Sequence, residues 1–160
     1  DSGNLSIMAG GDREAYEACN KIFKSYSKSH KFMGPSGSGQ LTKMVNQICI
    51  AGLIQALAEG IHFSSQAGLN TADVMDVITK GAAQSWQMEN RWKTMLNDKY
   101  DFGFAVDLMR KDLDIVLKQA KKMNTELEIT DLVNSFYKDI QKLGGGRWDT
   151  SSLLKRIQEK

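Results

Sequence analysis

The spacing of apolar positions changes along the chain, and the change marks how the chain is organised. Leu5–Ala9 (LSIMA) is a short apolar run closed by Gly10-Gly11-Asp12, the pattern of a buried strand ending in a turn. Asp12 is placed to cap a helix from Arg13 to about Ser27. Ala15, Cys19, Ile22, Phe23 and Tyr26 form its apolar stripe. Lys31-Phe32-Met33 reads as a second short strand before Gly34-Pro35. Such a strand–helix–strand unit needs a larger sheet around it, because parallel strands are buried on both faces. Gly34–Gly39 (GPSGSG) then reads as a flexible break. After it the longest helix is predicted, from about Gly39 to Ala67, stopped at Gly68. At 1.5 Å per residue it is ~43 Å long. Leu41, Met44, Val45, Ile48, Ile50, Leu53, Ile54, Leu57 and Ile61 populate nearly every side of it, so burial by neighbours on all sides is expected.

The remainder is helical in shorter pieces. Thr71 is read as the cap of a helix through Val74, Val77 and Ile78 that Gly81 ends. A helix from Ala82 to about Leu96 carries Trp86 and Trp92, and Asn97 to Gly103 is a loop. Ala105 to Met123 is strongly amphipathic, with Val106, Met109, Leu113, Val116, Leu117, Ala120 and Met123 three or four apart. Thr130 or Asp131 is expected to start the next helix, which Gly144-Gly145-Gly146 ends. A last short helix runs from Ser151 to about Gln158, with Asp149 or Thr150 as cap. The fold class is therefore mainly α: an all-helical domain built around one long central helix, preceded by a strand–helix–strand piece. The predicted division is 1–34 and 35–160.

Composition narrows the function classes. Of 160 residues, one is proline, which favours helix. The formal net charge of +2 leaves no electrostatic footprint for nucleic acid. Cys19 and Cys49 lack C-x-x-C or His spacing, so neither a disulfide framework nor a zinc site is expected. Both are expected to behave as small buried apolar residues in a reducing, cytoplasm-like setting. No run of ~18 uncharged apolar residues occurs, so no membrane span is expected. The chain begins at Asp1, which suggests that something upstream is missing.

Two polar patches stand out. Lys43, Asn46 and Gln47 lie at i, i+3 and i+4, on one face of an otherwise apolar helix. The helix dipole and partial burial would both favour a neutral lysine there, as acid–base work requires. On composition alone, a solvated lysine in an exposed turn is the favoured reading. Phe104 with Lys111 and Asp112 forms the second patch, where a solvated, ion-paired face is the plainer reading. Glu59 and His62 at i, i+3 are too few for a metal site. The glycine segment is not a phosphate loop, since Gln40 and Leu41 stand where Lys and Ser/Thr are needed. It is not G-x-G-x-x-G either, because Thr42 occupies the last glycine position.

Gly34-Pro35-Ser36-Gly37-Ser38-Gly39-Gln40-Leu41-Thr42-Lys43-Met44-Val45-Asn46-Gln47 resembles the G-x-x-G-x-G-x-x-x-K-x-x-N motif of the β-hydroxyacid dehydrogenases. Gly3–Gly11 is similar to that family's G-T-L-x-x-M-x-G-G segment, Phe104–Leu113 to its F-x-x-x-L-M-x-K-D-L segment, and Asp149–Ser152 to its D-x-S-A. The four occur in family order across nearly the whole chain. The resemblance implies an NAD(P)-dependent oxidoreductase that interconverts a small 3-hydroxy acid and its semialdehyde. It implies Lys43 as general acid/base. Asn46, Gln47, Gly3, Phe104 and Asp112 would face substrate, Lys111 would lie near the NAD or NADP cofactor, and no metal is involved. It implies that residues 1–34 are the end of a Rossmann domain whose larger part is missing. The helical domain would supply most of a homodimer or homotetramer contact. The isolated chain is then expected to be inactive. The competing reading is a non-catalytic helical dimerisation or interaction domain of the same fold. The joint presence of Lys43, Asn46, Lys111 and Asp112 argues against it.

Overall fold

The computed structural model describes residues 4–159. Its elements are β1 (Leu5–Gly10), α1 (Arg13–Ala18), α2 (Asn20–Tyr26), β2 (Ser27–Gly34), α3 (Ser38–Gln66), α4 (Thr71–Ile78), α5 (Trp86–Leu96), α6 (Val106–Lys122), α7 (Glu128–Lys142) and α8 (Leu153–Gln158). Single 3₁₀ turns at Gly145–Arg147 and Thr150–Ser152 precede α8. The chain divides into two compact units, 1–46 and 47–160, with the division inside α3.

In the first unit β1 and β2 pair in parallel, with Ile7 opposite His30 and Ala9 opposite Phe32. Asp12 caps α1 as expected, its carboxylate accepting from the Ala15 N–H at 2.8 Å. The single helix expected from Arg13 is two. The backbone leaves helical geometry at Cys19 (ψ −2°), whose N–H is shared between the carbonyls of Ala15 and Tyr16. The second strand is longer than the Lys31–Met33 expected, beginning at Ser27. Its mostly polar N-terminal half carries little strand signal and is held by pairing to β1. The helices cover the pair through Tyr16, whose hydroxyl lies 2.7 Å from His30 Nδ1 and whose ring packs 5.5 Å from Phe23 and Phe32. The glycine segment is a tight turn and not a loose break. The Ser38 N–H donates to the Pro35 carbonyl, and a Cβ on Gly39 would collide with the Met8 carbonyl. Only glycine lets the start of α3 abut the end of β1 this closely.

The second unit packs its helices around α3. Gln47, Ala51, Ile54, Ala58 and Ile61 form the buried stripe of that helix at three- and four-residue steps. Against it lie Met75 of α4, Met88, Trp92 and Met95 of α5, Met109 and Leu113 of α6, Tyr137 and Ile140 of α7, and Leu153 and Leu154 of α8. The expectation that α3 is enclosed on all sides is corrected: Val45, Leu53 and Phe63 are exposed. Cys49 is also exposed and Cys19 half-buried, so neither is the buried residue expected. With only Lys43 and Glu59 charged among its 29 residues, α3 is long and apolar enough to cross a membrane by length and composition.

Three helix starts also differ from expectation. Asn70, not Thr71, caps α4, accepting from the Ala72 N–H. Ser85 caps α5 by accepting from the Met88 N–H, so Ala82–Gln84 stay outside the helix. Helix α7 begins at Glu128 with no side-chain cap, one turn or less before the polar starts expected. Asp149 does cap the turn before α8, accepting from the Ser151 N–H.

Candidate active site

Helix α3 positions the first patch. Lys43 sits in the second turn and is exposed, Asn46 is half-buried, and Gln47 is buried at 2% exposure. Lys43 lies beyond the first turn of α3 with its side chain exposed, and the motif match is what singles it out. Gly3 lies outside the described residues.

Helix α6 positions Lys111 and Asp112 of the second patch, and within the second unit Gln47 reaches Asp112. The Gln47 side-chain amide donates to Asp112 Oδ2 at 2.8 Å and lies 3.7 Å from Met109 Sδ. Lys111 Nζ lies 3.3 Å from the other Asp112 oxygen. The Lys111 side chain is 63% exposed and that of Asp112 20% exposed, so one edge of the carboxylate faces out. The amphipathic spacing of α6 explains the placement: Met109 and Leu113 enter the core, and Asp112 between them stands at its margin.

Phe104 belongs to a different cluster, centred on Asp149. Asp149 is fully buried. Its Oδ1 accepts from Arg91 Nε at 3.1 Å and from the Ser151 hydroxyl and N–H, and its Oδ2 from the Phe104 N–H at 2.9 Å. The Arg91 guanidinium is sandwiched against Trp86 and Phe102, 4.8 and 5.1 Å from the ring centroids. Burial, helped by the nearby Asp149 charge, pushes the Tyr137 hydroxyl far above the ordinary phenol range. Gly103, at φ +70°, passes so close that a Cβ would collide with the Asp149 carboxylate. The sequence marks Asp149 only as a cap. Its pairing with Arg91, 58 residues away, has no local signal. Glu59 accepts from Gln55 at 2.6 Å. No group of three or more His, Cys, Asp or Glu side chains able to hold a metal occurs among the described residues.

The family model for the NAD-binding region of NADP-dependent 3-hydroxyisobutyrate dehydrogenase matches residues 37–157. The chain belongs to the β-hydroxyacid dehydrogenase family. Within this NAD(P)-dependent family it corresponds to the C-terminal region. A second model, for the NAD binding domain of 6-phosphogluconate dehydrogenase, matches residues 1–35. An uncharacterized oxidoreductase of Shewanella frigidimarina is 53% identical over 159 residues, 99% of this chain and 55% of its own. The 2-hydroxy-3-oxopropionate reductase of Escherichia coli is 31% identical over 156 residues, 98% of this chain and 53% of its own. The crystal structure of a 3-hydroxyisobutyrate dehydrogenase from Salmonella typhimurium superposes with a TM-score of 0.86 at 27% identity, covering 96% of this chain and 54% of the other. The chain thus spans about half the length of the curated relatives it matches.

Proposed function

We propose that the protein carrying this chain is an NAD(P)-dependent oxidoreductase that interconverts a small 3-hydroxy acid and its semialdehyde. The observation that carries the reading is the Lys43-x-x-Asn46-Gln47 run at the head of the core helix, within the span that the dehydrogenase model matches. When bound, NAD(P) supplies or accepts the hydride. Lys43 holds the proton of the reacting oxygen: its ammonium donates to the carbonyl oxygen in reduction, and its neutral amine takes the hydroxyl proton in oxidation. Asn46, one turn on, has an amide that can orient the substrate. Lys111 fits a place beside the cofactor, being an exposed ammonium tethered by Asp112 and able to donate to a dinucleotide's polar groups. The glycine loop that cradles a pyrophosphate is not among these 160 residues.

The division into a Rossmann remnant at 1–34 and a helical substrate and dimer domain at 35–160, a homodimeric or homotetrameric assembly and a cytoplasmic setting belong to the same proposal. The test is to assay the full-length protein with a panel of 3-hydroxy acids and semialdehydes and both nicotinamide cofactors. We expect turnover with at least one pair, and none from residues 1–160 alone. No turnover with any pair, in a protein that binds NAD(P) and is correctly folded, would favour the interaction-domain reading.

A further inference from the structure

We infer that Gln47 is a positioning residue: its buried amide bridges α3 to α6 and fixes Asp112, and through Asp112 the exposed Lys111, rather than meeting substrate itself. The inference rests on the reading of Asp112 and Lys111 as site residues given above. The three groups form a chain. Gln47 is 2% exposed and donates to one Asp112 oxygen at 2.8 Å, and Lys111 takes the other oxygen at 3.3 Å. Exposure rises along it, from the buried amide through a carboxylate one-fifth exposed to an ammonium mostly in solvent. A free lysine of this length samples many rotamers. A carboxylate held from behind restricts it to those that keep the ion pair. Side-chain length matters as well. The bridge connects residues 65 apart in sequence, and an arm one methylene shorter would fall ~1.5 Å short of the hydrogen bond. Misplacement on that scale is enough to lower catalytic efficiency by a factor of tens.

The test uses the full-length protein. Gln47→Asn keeps the amide on a shorter arm, and Gln47→Met keeps the length without the polar atoms. Both are expected to lower kcat/KM by about tenfold or more, with a thermal midpoint within a few degrees of the parent. On the proposed route through Asp112, the Gln47→Asn/Asp112→Asn double variant should lose clearly less than the product of the two single losses. If Gln47→Met does not fold, Gln47→Asn decides. Full kcat/KM in Gln47→Asn, or a double variant whose loss is the product of the single losses, overturns the proposal. Lys43→Ala in the same assay tests the function separately. Should that variant stay active, the functional reading fails, and the pair is judged by NMR. The Gln47 side-chain amide resonance should then move in Asp112→Asn, and an unmoved resonance overturns the bridge.

Discussion

Asp149 and Asp112 both lie in segments that resemble family motifs, yet the fold treats them in opposite ways. Asp149 is fully enclosed, with its oxygens engaged by Arg91, Ser151 and the Phe104 backbone. Asp112 sits at the margin, held from one side by Gln47 and open enough to keep Lys111 in solvent. A carboxylate surrounded by donors knits the loop after α5 to the turn before α8. A carboxylate held from behind, with an edge left open, can serve chemistry. Motif membership alone does not separate the two roles, whereas burial and the direction of the donors do.

The contrast can be broken at each carboxylate. Asp149→Ala should have the largest effect on stability, about 3–5 kcal/mol, since it strands the largely buried Arg91 and several N–H and O–H donors. A fall in the thermal midpoint of the full-length protein measures it, and a shift of only a degree or two would make Asp149 peripheral. Gly103→Ala attacks the same hub from outside. A Cβ meeting the carboxylate, on a backbone at φ +70°, should cost about 1–3 kcal/mol. Asp112→Ala should cost less than Asp149→Ala, about 1–3 kcal/mol, since the buried Gln47 amide loses this acceptor while the exposed Lys111 pair adds little, and kcat/KM should fall at least about tenfold. Equal losses of stability at positions 112 and 149 would erase the distinction.

Asp139 completes the series at the surface. Hydrogen bonds from Lys142 and Arg156 hold its carboxyl below the usual carboxylate range. A depressed folded-state pKa gives stability that is present above the unfolded value, near 3.9, and is lost as pH falls through the folded one. Asp139→Asn should therefore cost less than about 1 kcal/mol at pH 7, with solvent screening counted. The gap between parent and variant should close in strong acid. Melting curves at both pH values check the sign.

Much of the fold was legible because local chemistry and packing agree. The bounds of α3 follow from a glycine turn before it and Gly68 after it, and the Asp12 cap follows from an acceptor one turn ahead of Ala15. The starts of α5 and α7 were not legible, for opposite reasons. The helix-favouring pair Ala82-Ala83 masked the true cap Ser85, and α7 begins without a side-chain cap at all. β2 is polar where it starts and exists through its partner. In the site, the spacing of Lys43, Asn46 and Gln47 was visible along one helix. The Gln47–Asp112 and Arg91–Asp149 contacts join residues 65 and 58 apart, and only the fold brings them together.

In the proposed reaction the head of α3 supplies the proton-transfer group. The direct measurement is kcat of the full-length protein with Lys43→Ala, at saturating cofactor and hydroxy acid. A drop of about a hundredfold to ten-thousandfold with an unchanged melting midpoint is predicted. Near-parental kcat would contradict the account.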